Sequence, residues 1–144
     1  MTDGITPSIV LGKVVDIDDP EGRLRVRLQR LDQPDSMETS WADVVTPMAS
    51  NAAGFYFVPE IDDIAVMAIH GQRPMVIGYI FTPNGERPTS EPKERIIQSV
   101  DGNAMILSDG DKSGMTLRDK HNNEITMNAD GITIKTYGKF TVEA

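Results

Sequence analysis

Asp109, Asp111 and Ser113, followed by Gly114, have the alternate spacing with which a calcium loop begins. Such a loop closes with a bidentate glutamate at its twelfth position, and here that position is Lys120, a cation. The stretch therefore reads as a β-turn. His70 and His121 are isolated in sequence and read as surface residues rather than a metal pair. Glu60, Asp62 and Asp63 offer carboxylates for hydrolysis, but no base, nucleophile or glycine-rich phosphate loop accompanies them, so they read as the solvated start of a strand. Arg23, Arg25 and Arg27 form a stripe of the kind that stacks on bases and attracts phosphates. In acidic surroundings it reads instead as an exposed strand face paired with Asp16 and Asp18. No catalytic, cofactor-binding or metal-ligating residue is assigned, and no cofactor is expected.

Composition narrows the function classes further. The net charge is −8, of which residues 1–88 carry −6 and residues 89–144 carry −2, and this opposes general nucleic-acid binding. There are no cysteines, which removes disulfides, thiolate chemistry and Cys-bound zinc. The sequence has no apolar run of membrane-spanning length, and Met1-Thr2-Asp3-Gly4 lacks a signal-peptide pattern. The expectation is a product assembled in the bacterial cytoplasm and exported only within something larger.

The elements behind these residues fall into two kinds. From about Ile96 to Ala144 one small unit recurs: two apolar residues one position apart, then a turn. The pairs are Met105/Leu107, Met115/Leu117, Ile125/Met127, Ile132/Ile134 and Phe140/Val142. This spacing predicts short strands with one buried face. Asp101-Gly102-Asn103, Asp109-Gly110-Asp111, Asn122-Asn123 and Asp130-Gly131 lie between the pairs and suit tight turns. So small a meander buries too little to persist alone. Its apolar face needs another surface, and the simplest is the same face of sister chains. A homo-oligomer with these pairs at its core is expected.

Before that ladder, residues 1–7 read as an N-terminal arm. Ser8–Ile17 reads as a strand with a bulge at Gly12. Asp18-Asp19-Pro20-Glu21-Gly22 is a turn, and Arg23–Leu31 a strand with Leu24, Val26 and Leu28 on one side. Strands are also predicted at Ser40–Val45, Ile64–Ile69 and Met75–Phe81, with a loop holding Pro34 and a compact aromatic run at Phe55–Val58. Five or so strands without an amphipathic helix predict a small closed barrel over residues 8–82. Residues 83–95, rich in Pro and Gly, read as a stiff linker to the unit at 96–144.

Trp41-Ala42, Pro47, Gly54, Pro59-Glu60, Asp63, Gly71, Pro74, Val76 and Gly78, in this order and spacing, resemble the OB-fold domain of contractile-tail central spike proteins. That family includes phage baseplate assembly protein V and the VgrG proteins of type VI secretion. The resemblance implies an all-β chain: an OB-fold barrel followed by an intertwined trimeric β-helix, or β-prism. Two positions depart from the family, Asp62 where a Gly is usual and Gln72 where an Asp is usual. The inserted lysozyme domain of some relatives and the His-x-His tip of others are absent from this sequence.

The function implied is mechanical. A rigid homotrimeric needle, the central spike of a phage tail, tailocin or type VI-like machine, punctures a target envelope when the sheath contracts. A hub protein is expected to join it to the tail tube. A PAAR-like tip protein is expected to dock on Phe140, Val142 and Ala144. Two other classes compete: an OB-type module for single-stranded nucleic acid or oligosaccharide, using the arginine stripe and Trp41, and an envelope hydrolase. Salt-sensitive oligonucleotide binding would favour the first, and peptidoglycan turnover the second.

Overall fold

The structure, a computed structural model, describes residues 6–33 and 37–144. Most of the expected arm, and Pro34, lie outside the described residues. The chain divides into two compact units, Met1–Gly85 and Glu86–Ala144, so the boundary falls inside the expected linker. Among the described residues there is no α-helix.

The first unit contains β1 (Ser8–Asp16), β2 (Arg27–Arg30), β3 (Asp43–Val44), β4 (Ala49–Ser50), β5 (Ala53–Gly54), β6 (Ile64–His70) and β7 (Arg73–Ile80). Five of them form one sheet in the order β2-β1-β6-β7-β3, with β3 parallel to β7 and the other pairs antiparallel. Reciprocal bonds between Val26 and Ala42, at 3.0 and 2.8 Å, join the two ends of this order. The sheet thus curls into a barrel. Val14, Val26, Leu28, Ala42, Ala65, Met67 and Val76 fill it with no solvent exposure. These residues alternate with outward ones along their strands, and that period is what places them on one side.

Several local expectations are corrected. Leu24 does not continue an alternating strand: β2 starts at Arg27, and Leu24 sits at φ +62°. The cause is Asp19, whose carboxylate accepts the backbone N–H groups of Glu21, Arg23 and Arg25 and draws that stretch into a loop. The β1 irregularity lies between Val14 and Asp16 rather than at Gly12. A Cβ at Gly12 would stand 2.6 Å from the Met67 Cε, so this glycine makes room for a core methionine. Phe55–Val58 is an exposed run after the β4–β5 hairpin.

The barrel motif residues mostly shape the loops and strand ends. Pro59 and Pro74 are buried, Trp41 is half-buried, and Pro47 is exposed. Gly54 has φ +149°, and a Cβ there would lie 2.2 Å from the Met48 carbonyl oxygen. Asp63 accepts the Glu60 N–H at 2.9 Å, and the turn they close bonds to Val14 through Asp62 and Asp63, each at 2.9 Å. Asp62 has φ +74°, a left-handed conformation that glycine adopts freely and that Asp tolerates better than most residues. Gly71, at φ +63°, turns the chain between β6 and β7, and Gly78 pairs with Val66 beside a bulge in β7, whose extra residue is Ile77.

The second unit is a meander of β8 (Glu94–Gln98), β9 (Ala104–Ser108), β10 (Gly114–Arg118), β11 (Glu124–Asn128) and β12 (Gly131–Lys135). Each strand pairs antiparallel with the next in sequence. Its first rung is β8, which begins within the expected linker. Phe140 and Val142, expected as the last rung, lie in no strand of the chain.

Candidate interaction face of the strand ladder

Strand register aligns the apolar residues into two columns on one face of the meander. One runs Ile97, Met105, Leu117, Ile125, Ile134, each residue opposite the next on the neighbouring strand. The other runs Arg95, Leu107, Met115, Met127, Ile132. All nine hydrophobic members are exposed in the single chain, from 39% at Leu107 and Met127 to 72% at Ile132. The opposite face holds Ile96 and Ile106 at one end and then a row of threonines, Thr116, Thr126 and Thr133. Ala104 and Ile106, on that side, are the buried hydrophobics of this unit. A continuous stripe this apolar, flanked by polar edges, marks an interaction surface.

Arg95 is the one charge in the two columns. Its guanidinium pairs with Asp109 and donates to the Lys93 carbonyl at 3.3 Å. Asp109 thus serves an ion pair, while Gly110–Lys112 form a short 3-10 turn between β9 and β10. Among the described residues no cluster of three His, Asp or Glu side chains is arranged to hold a metal.

Two turns at one edge of the ladder share a single design. In Ser99–Asn103 and in Asp119–Asn123, the first residue donates its N–H to the carbonyl of the fifth, at 2.9 and 3.1 Å, and its own carbonyl accepts the N–H of the fourth. The fourth residue has positive φ, +90° at Gly102 and +64° at Asn122. The first side chain accepts both the backbone N–H and the side-chain amide of the fifth, Ser99 from Asn103 and Asp119 from Asn123. The Asn123 amide, helped by the Asn123 and His121 N–H groups, holds the Asp119 carboxyl below its ordinary range against the opposing effect of burial. The turns are tied to each other. Lys120 donates its backbone N–H to Asn103 Oδ1 at 3.1 Å, and its ammonium pairs with Asp101 at 3.0 Å. Thr136 then donates to Asn123 Oδ1 at 2.7 Å.

The structure gathers eight of the ten residues expected at an oligomer core onto this face: Met105, Leu107, Met115, Leu117, Ile125, Met127, Ile132 and Ile134. Phe140 and Val142, 60% and 79% exposed, stand apart from it, and Ala144 is exposed with them. Ile97 and Arg95 join the columns and were not expected there. A readable trace of that rung exists in the sequence: Ser-x-x-Gly-Asn after β8 and Asp-x-x-Asn-Asn after β10 are the same turn written twice.

The other candidates go to local roles. Asp19, its side chain almost wholly covered, takes the Arg25 guanidinium on both oxygens at 2.8 Å. That contact holds its carboxyl far below the ordinary range and raises Arg25 in turn. Arg23 pairs with Glu21, and Arg27 with Glu38 and, at 4.0 Å, with Asp16; Asp18 takes none of them. Arg27 also lies 5.9 Å over the Trp41 ring, so the arginine stripe faces its own carboxylates and indole. Lys13 pairs with Asp62 at 3.6 Å. His70 and His121 are exposed.

The type VI secretion system/phage-baseplate injector OB domain matches residues 10–81, and the phage baseplate V C-terminal trimerisation domain matches residues 94–143. No curated protein sequence matches the chain. The two matched segments coincide with the barrel and the ladder, and both domains are structural parts of a baseplate rather than enzymes. The chain belongs to the phage-baseplate injector family, as a structural baseplate protein whose ladder is its trimerisation domain.

Proposed function

We propose that three copies turn their apolar columns toward a common axis and form the rigid central spike of a contractile injection apparatus. The observation that carries this reading is the pair of exposed columns, nine hydrophobic residues in continuous register that nothing else in the ladder unit covers. Three such faces meeting on an axis make a dry prism, a β-helix-like shaft, with every rung hydrogen-bonded to the next. In this reading Met105, Leu107, Met115, Leu117, Ile125, Met127, Ile132 and Ile134 are the trimer core. The barrel docks on the hub that joins spike to tail tube, a PAAR-like tip protein sits over Phe140, Val142 and Ala144, and the target envelope is met transiently on contraction. The spike then works by stiffness alone, as part of a phage tail, tailocin or type VI-like particle.

The test has two arms. Light scattering of the full chain is expected to give about three times the 15.8 kDa protomer, and a chain ending at Pro92 a smaller particle. Electron cryomicroscopy of assembled particles tagged on this chain is expected to show the tag on the tail axis beneath the tube. A tag at the baseplate periphery overturns the spike.

A further inference from the structure

Phe55-Tyr56-Phe57-Val58 sets three of the chain's eight aromatic residues side by side. Alternate side chains of an extended run point to opposite sides, so a strand with one buried face would cover either Phe55 and Phe57 or Tyr56 and Val58. Here both pairs are exposed, from 38% at Val58 to 67% at Tyr56. Met48 and Ile61 are exposed as well. The backbone beneath them is nevertheless fixed at both ends. Phe55 donates its N–H to the Met48 carbonyl at 3.0 Å, and the Thr46 hydroxyl donates to the Phe55 carbonyl at 3.0 Å. At the other end Pro59 is buried, and the Glu60–Asp63 turn is bonded to β1 through Val14. Aromatic side chains displayed on a fixed backbone lose little further freedom on binding, and they are the residue types that dominate protein interfaces.

The charge around this run selects its partner. Between Arg30 and Arg73 the chain carries seven acidic residues and no lysine or arginine. Cations from outside that stretch match three of them: Arg30 takes Asp32, Arg27 takes Glu38, and Lys13 takes Asp62. Glu60 and Asp63, on the turn that ends the aromatic run, take no salt bridge among the described residues. An acidic rim is repelled by the anionic lipids of a membrane surface. A sister barrel brings the same acids, so two copies of the patch would set like charges together. The complement is a protein surface with a basic edge.

We propose that Phe55, Tyr56 and Phe57 anchor the barrel in an apolar recess of another protein, and that Glu60 and Asp63 meet lysine or arginine at the rim of that recess. The inference rests on the reading that the barrel docks on a hub, and it adds the face used and the chemistry of the surface that receives it. The aromatic side chains supply the tightness of the contact. The carboxylates supply its orientation and speed of encounter, so the two contributions separate by their response to salt.

Calorimetry of the full-length chain with the purified hub protein of the same particle tests this. Phe55→Ser/Phe57→Ser is expected to weaken binding by about thirtyfold or more. Glu60→Lys is expected to weaken it less and to flatten the loss of affinity that the unaltered chain shows as salt rises. Light-scattering mass and thermal midpoint should stay unchanged in both, because the altered side chains are exposed. If the double variant lowers the barrel's midpoint, Tyr56→Ser, at the most exposed position of the run, decides instead. Serine variants that bind the hub as tightly as the unaltered chain overturn the aromatic anchor while leaving the docking itself standing, and affinity indifferent to both salt and Glu60→Lys overturns the basic rim. An unaltered chain that does not bind the hub removes the parent reading. Two further results overturn the assignment: loss of trimer mass in the double variant with hub affinity kept, which gives the run to a sister barrel, and aromatic-dependent adsorption to vesicles of phosphatidylethanolamine and phosphatidylglycerol with hub affinity kept, which gives it to lipid.

Discussion

Asn103 and Lys120 lie on successive turns of one ladder edge, and Asn103 Oδ1 accepts the Lys120 backbone N–H at 3.1 Å. The same asparagine closes its own turn by donating to Ser99 Oγ at 3.1 Å. One side chain therefore fixes both the shape of a turn and its distance from the next. Asn103→Ala is expected to lower ladder stability by about 1 kcal/mol per chain, the usual net worth of such a bond. Thermal dissociation of the trimer measures it; an unchanged midpoint would mean the turns are held by strand pairing alone.

Adjacent residues on opposite faces give a sharper contrast. Leu117→Lys and Ile134→Lys place a charge in the apolar columns, and Thr133→Lys places one on the threonine face. An unpaired buried charge costs on the order of several kcal/mol, and a trimer would carry three. The first two variants are expected to be monomeric by light scattering with the barrel intact, and the third to stay trimeric. Equal behaviour of Ile134→Lys and Thr133→Lys would place the interface elsewhere.

Acid stability of the barrel is expected to depend on Asp19. Its carboxyl is held far below the ordinary range, first by the Arg25 guanidinium, so it binds protons less readily folded than unfolded. Its contribution is present above the unfolded carboxylate value near pH 4 and is lost as pH falls through the folded one. Urea midpoints should decline below about pH 4. Asp19→Asn should be less stable at neutral pH and show a shallower decline, and an unaltered acid profile would remove Asp19 as its source.

At the other end of the scale, burial and the nearby Asp63 carboxylate push Tyr79 up to about 12. The neutral phenol is thus favoured by folding, so its contribution is complete below the ordinary phenol value near 10 and is lost as pH rises toward 12. Ultraviolet titration of the three tyrosines should show one ionising late, and Tyr79→Phe should remove that phase together with part of the alkaline loss of stability. A late phase that persists in Tyr79→Phe would remove Tyr79 as its source.

How much of this was legible depended on whether the deciding interaction was local. Met105/Leu107 through Ile132/Ile134 were readable because a period of two is a property of the strand itself. The rung at Arg95/Ile97 was hidden because one of its two column positions is a charge, paired with Asp109 from another turn. Leu24 misled for a similar reason: its alternation is perfect, and a carboxylate five residues away, on Asp19, overrules it. Phe140 and Val142 carry the right spacing, but spacing does not say whether the preceding turn can close. Gly12 looked like a bulge and is a recess for Met67, a partner 55 residues distant that no local pattern reveals.

Strand spacing turns the ladder into a length. Five strands stacked at roughly 4.8 Å rise about 19 Å. The hydrocarbon layer of a membrane is about 30 Å thick. In the proposed spike, these rungs on their own are too short to reach from one leaflet's glycerols to the other's, so a puncture of that depth would need further length from elsewhere in the particle.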